Sequence, residues 1–121
     1  MPKRILVAED EQALADALTR RLTADGFEVA YAADGEQALA KLRVETFDAL
    51  LLDLLMPKKD GFAVLTELEA EKRPGYIMVL SNLNQDDRIQ KIRSAGVSDV
   101  LVKAETPLAT ISQKVKTALG T

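Results

Sequence analysis

A chain of 121 residues, 47% hydrophobic and 29% charged, has the profile of one ordinary globular domain, long enough to bury a core without covalent staples. It contains no Cys, His or Trp, which excludes disulfides, thiolate nucleophiles, Cys/His zinc sites, His-ligated haem, a Ser-His-Asp triad and a phosphohistidine carrier. Sixteen basic residues against nineteen acidic ones leave a net charge of −3, so no basic excess supports direct binding to nucleic acid.

Residues 5–8 are continuously apolar, which fits a strand covered on both faces. Asp10 then stands at a capping position, and Leu14, Leu18 and Leu22 recur every four residues with Ala17 beside them. That spacing predicts a helix over 11–24, closed by Asp25-Gly26. Residues 27–32 read as a weaker second strand interrupted by Glu28, and Asp34-Gly35 as a turn before a helix carrying Ala38, Leu39 and Leu42. Residues 49–53 form the third strand. Leu is a good helix former, so a strand there rests on tertiary context. After the 56–61 loop, with Asp60-Gly61 read as a turn and Met56 as packing, Phe62, Leu65 and Leu68 mark a helix that must stop before Pro74. Residues 76–80 give the fourth strand and 81–85 a polar loop, while Ile89, Ile92 and Ala95 define a helix ending at Gly96. Residues 100–102 make the fifth strand. The last helix opens with Thr106 as N-cap and Pro107 at its first position, and buries Leu108, Ile111, Val115 and Leu119.

No apolar run approaches the ~18 residues of a membrane span, and the four after Arg4 are too few for a signal-peptide core, so the expected location is cytoplasmic. Without repeats or linkers, residues 1–121 read as a single domain. Strands alternating with helices imply an α/β fold, a five-stranded parallel sheet with helices on both faces. Right-handed crossovers bring the carboxyl ends of all five strands to one edge, where such sheets bind ligands.

Polar residues at those strand ends therefore carry the functional signal. The first strand runs into Glu9-Asp10-Glu11, the third ends in Asp53, the fourth reaches Ser81 and the fifth Lys103. Carboxylates about 5 Å apart repel by roughly 3 kcal/mol at an effective dielectric near 20. A hard divalent cation such as Mg²⁺, held by oxygen alone, would offset this, and Lys103 is a second countercharge. An Asp beside such an ion can attack an activated phosphoryl group, with Ser81 and Lys103 meeting its oxygens. Each residue also has a plainer reading: Glu9, Asp10 and Glu11 as anions at a helix start, Ser81-Asn82 as turn or cap, Lys103 as a surface lysine. Asp53 is the hardest to dismiss, because it interrupts a leucine run.

The acidic pair Glu9-Asp10, the motif Asp53-Leu54-Leu55-Met56-Pro57 followed by Asp60-Gly61, then Ser81 and Lys103, resemble the receiver domain of bacterial two-component response regulators over essentially the whole chain. The resemblance implies a (βα)5 flavodoxin-like fold and a Mg²⁺-dependent reaction in which Asp53 accepts a phosphoryl group from a histidine kinase or phosphotransfer protein. It further implies that Asp10, Asp53 and the Leu55 backbone carbonyl ligate the metal, with Glu9 acting through water, and that Ser81 and Lys103 bind the phosphoryl oxygens. Helix four, strand five and helix five would then be the switched surface offered to a downstream target or output domain. Such a protein is a phosphoryl acceptor that catalyses its own transfer and dephosphorylation, not a conventional turnover enzyme. Two positions depart from the family. Val100 stands where an aromatic residue is common, and Ala104 follows Lys103 where a cis-proline is usual. A trans bond with a shifted loop, or a strained cis bond, is expected there. These departures motivate an alternative, a receiver-like docking module working without phosphorylation. An aspartyl-phosphate phosphatase of the haloacid dehalogenase type would need a second acid where Leu55 stands.

Overall fold

The computed structural model describes residues 2–82 and 87–121. Its five strands are β1 (Arg4–Ala8), β2 (Glu28–Ala32), β3 (Ala49–Asp53), β4 (Tyr76–Ser81) and β5 (Asp99–Val102). They alternate with α1 (Gln12–Ala24), α2 (Gly35–Val44), α3 (Gly61–Glu67), α4 (Asp87–Ser94) and α5 (Leu108–Leu119). The sheet is parallel throughout, in the order β2-β1-β3-β4-β5.

The side chains of each central strand alternate between two apolar layers. Ile5, Val7, Leu51, Met78 and Leu80 pack with Leu18, Leu22, Ile111 and Val115 of α1 and α5. Leu6, Ala8, Leu50, Leu52, Ile77 and Val79 pack on the opposite face with Leu39, Leu42, Val64, Leu65 and Ile92. Residues 50–52 are three leucines without a β-branch. They form a strand because both faces are covered, each fully buried side chain gaining about 1.5–3 kcal/mol over an exposed one. Burial overrides the helix propensity of Leu.

The strands start or end within a residue of expectation, but several caps differ. Asp10 does not cap α1. Glu11 is the N-cap residue and makes no side-chain cap bond, and its own N–H donates to the Glu9 carboxylate at 2.9 Å. Thr106 is likewise not the cap of α5. Its hydroxyl donates to the Val102 carbonyl at 2.7 Å, and Pro107 occupies the N-cap position. A 3-10 turn over Ala70–Lys72 fills the space between α3 and Pro74. The expected loop over 81–85 falls in part, and the Ile89 side chain wholly, outside the described residues. Met56 packs in the core, as expected.

Asp34-Gly35 and Asp60-Gly61 do more than turn the chain. Asp34 Oδ1 accepts the Gln37 N–H at 2.9 Å and Asp60 Oδ1 the Ala63 N–H at 2.8 Å, so each aspartate caps a helix. The glycines permit close approach of backbone to backbone. A Cβ on Gly61 would lie 2.5 Å from the Asp53 carbonyl oxygen, and one on Gly35 only 2.0 Å from that of Lys59. Gly61 also donates its N–H to Leu54 O at 2.9 Å, which seats the start of α3 on the end of β3. Gly61→Ala should therefore lower the unfolding free energy by about 1–3 kcal/mol in urea denaturation. Gly75→Ala, where a Cβ meets nothing within 4 Å, should change it by less than about 1 kcal/mol.

Candidate functional site

Strand register assembles the site. Ala8 pairs with Leu52, Asp53 with Leu80, and Ser81 with Val102. Glu9, the first residue past β1, thus leaves the sheet beside Asp53. Ser81 lies one residue beyond the β4 partner of Asp53, and Lys103 is the first residue past β5. Four strands deliver two acids, a hydroxyl and an ammonium to one edge.

The side chains converge as the register requires. Ligand oxygens of Glu9, Asp10 and Asp53 lie within 4.8 Å of one another. Glu9, Asp53 and Ser81 are buried, at 1%, 4% and 2% exposure, while Asp10 is exposed at the rim. Lys103 Nζ donates to Asp53 Oδ2 at 3.1 Å and to Glu9 Oε2 at 3.0 Å, and lies 2.9 Å from Glu9 Oε1. Leu55 turns its side chain to solvent and donates its N–H to Asp53 Oδ1 at 3.2 Å. All the candidate ligand atoms are oxygens, a donor set suited to a hard divalent cation and unsuited to soft metals.

The chain and its fold coincide with a known family. The model of the response regulator receiver domain matches residues 5–116. The chain belongs to that family. It is 39% identical over 105 residues to the probable transcriptional regulator ycf27 of Cyanophora paradoxa, a match covering 87% of this chain and 44% of that one. With the alkaline phosphatase synthesis transcriptional regulatory protein PhoP of Bacillus subtilis it shares 33% identity over 121 residues, covering 98% and 49%. The receiver domain thus spans about half the length of the curated relatives it matches. Among solved structures, the CheY-like response regulator receiver domain protein of Methanospirillum hungatei superimposes with a TM-score of 0.90 at 26% identity, covering 99% of this chain and 95% of that one. No helix among the described residues is long and apolar enough to cross a membrane.

The receiver domain meets the two departures noted in its sequence in specific ways. Val100 packs against the layer beneath α2, α3 and α4. No peptide bond among the described residues is cis, so Lys103–Ala104 is trans, and Lys103–Glu105 form a 3-10 turn. Three further residues lie at or near the site without having been assigned a functional role from the sequence. Glu11 places a carboxylate 3.8 Å from Lys103 Nζ. Asn82, read as turn or cap chemistry, accepts the Ala104 N–H across the loops. Tyr31, paired with Val7 in the sheet, buries a hydroxyl without a hydrogen-bond partner among the described residues. Glu11, in the acidic run, and Asn82, in the turn after β4, left a trace in the sequence; Tyr31 left none.

Burial pushes the Glu9 carboxyl up to about 7, against the opposing pull of the Glu11 N–H and Lys103. Asp53 is raised for the same reason, opposed by the Leu55 N–H and Lys103. Burial lowers Lys103, but its bonds to Glu9 and Asp53 outweigh this and raise it on balance. Between the ordinary Glu9 value of 4.5 and about 7, the folded protein holds more of the Glu9 proton than the unfolded chain does. The Glu9 contribution to stability therefore falls as pH rises through that window. In metal-free protein, wild type minus Glu9→Gln unfolding free energies from urea titrations should decline across this interval by up to about 1.4 kcal/mol per pH unit. A flat difference would show that Glu9 titrates normally.

Proposed function

We propose that this receiver domain is a phosphorylatable switch in which Asp53 takes a phosphoryl group from a histidine kinase or phosphotransfer protein. The carrying observation is the buried Asp53 carboxylate at a strand end, with Glu9 and Asp10 oxygens within 4.8 Å and the Lys103 ammonium at 3.1 Å. An Asp53 carboxylate oxygen forms the new O–P bond as the P–N bond to the donor imidazole breaks. The imidazole nitrogen leaves with the electron pair and then takes a proton. Leu55 N–H and Lys103 hold the carboxylate in place for attack, and Lys103 and Ser81 meet the transferred oxygens. Asp10, Asp53 and the Leu55 carbonyl would hold Mg²⁺, with Glu9 reaching it through water, and the bound ion supplies positive charge to the phosphoryl oxygens.

Phosphorylation adds charge and acceptor oxygens to the pocket, so Ser81 gains a contact present in one state only. Drawing Ser81 inward moves the end of β4, and with it α4 and the α4, β5 and α5 face offered to a downstream target or output domain. Such signalling is cytoplasmic and needs no direct contact with nucleic acid.

Incubation with Mg²⁺ and acetyl phosphate should add one phosphoryl mass to the wild type and none to Asp53→Asn. Lys103→Ala should slow that gain by about 100-fold. Ser81→Ala should still be phosphorylated, with a smaller change in its amide NMR spectrum. No mass gain under any magnesium concentration would favour a docking module that works without phosphorylation.

A further inference from the structure

The β4–β5 pairing ends at Ser81 and Val102, but one more tie joins the two loops beyond it. The Ala104 N–H donates to Asn82 Oδ1 at 2.8 Å, a bond between residues 22 apart in sequence. Asn82 follows Ser81, and Ala104 follows Lys103, so the bond joins the immediate neighbours of two groups that face Asp53's end of the sheet. On its other side, the Lys103–Glu105 turn is held by the Thr106 hydroxyl on the Val102 carbonyl. A turn of three residues supplies few bonds of its own.

Both Asn82 and Ala104 are exposed, so water could satisfy either group and solvation alone does not require the bond. Its effect is on freedom of movement. Lys103 reaches Glu9 and Asp53 over a four-carbon stem with many rotamers, and fixing the backbone beneath that stem narrows where the ammonium can lie.

We propose that Asn82 is a positioning residue of this site: its side-chain carbonyl clamps the Lys103 turn to the end of β4, holding Lys103 and Ser81 in a fixed relation. The catalytic consequence rests on the phosphoacceptor reading above, whereas the clamp does not. Fixed separation matters most where an ammonium and a hydroxyl must meet oxygens of one phosphoryl group.

Two measurements on the full chain test the clamp. Amide hydrogen exchange at Ala104 should rise about fivefold in Asn82→Ala, the equivalent of losing about 1 kcal/mol. It should stay near wild type in Asn82→Asp, which keeps an acceptor oxygen. Phosphorylation of Asp53 by acetyl phosphate with Mg²⁺ should slow about fivefold in Asn82→Ala. In an Ala104→Pro background, which has no N–H at that position, adding Asn82→Ala should change the rate by less than about twofold. Unchanged Ala104 exchange in Asn82→Ala, or equal slowing in both backgrounds, overturns the proposal. A wild type that takes up no phosphoryl group removes the phosphoacceptor reading instead, and amide exchange then decides the clamp alone.

Discussion

The placement of one ammonium between two buried carboxylates governs this molecule. Glu9 and Asp53 are withdrawn from water at the end of the sheet, and Lys103 Nζ lies within about 3 Å of both. At an effective dielectric near 20, repulsion between two such acids is of the order of 3 kcal/mol, and each contact with the lysine is attractive by a comparable amount. Burying charge is costly whatever its partner, so the trio adds little net stability. Its value lies in a site poised for positive charge: the acids keep raised proton affinities, and a hard cation or a proton relieves them.

The rest of the architecture serves that placement. A parallel sheet buried on both faces is rigid where β1, β3 and β4 cross the core, and its register decides which residues emerge together. Shifting β3 by one residue would turn Leu52 toward the site and Asp53 toward a neighbouring layer. Gly61 contributes from the helical side, where the absence of a side chain lets the first turn of α3 lie against the Asp53–Leu54 peptide. Asp60 caps the same turn. The phosphoacceptor candidate is thus fixed from below by the sheet and from beside by a helix start.

The side of the site away from β1 is built differently. Ser81 closes β4, and β5 is the edge strand on this side, with its residues only partly covered. Val100 offers a small, branched side chain to the core, so no aromatic ring stands at that position. The Ala104 N–H on Asn82 Oδ1 is one hydrogen bond that joins the ends of β4 and β5. Lys103 thus reaches the trio from the lightly covered edge, while Glu9 and Asp53 leave the buried centre of the sheet.

The alternation of apolar runs with helical periods determined the α/β class, the five strands and the polar residues that end them, because burial on both faces leaves an unbroken apolar run in the chain. Asp53 was legible for the same reason: an acid inside a leucine run contradicts its surroundings. Other features had no such signature. Asp10 and Thr106 have capping side chains, but other residues stand at both helix starts: the Glu9 carboxylate accepts the Glu11 N–H, and the Thr106 hydroxyl turns back to the Val102 carbonyl, local bonds that a capping signature does not reveal. Asp60-Gly61 looks like any turn until the Asp53 carbonyl is found against the glycine. The contacts of Lys103 with Glu9 and Asp53, 94 and 50 residues away, and that of Asn82 with Ala104, exist only because parallel crossovers return distant segments to one edge. Local pattern records what each segment buries; which polar groups then meet is decided by register and packing, which no single segment contains.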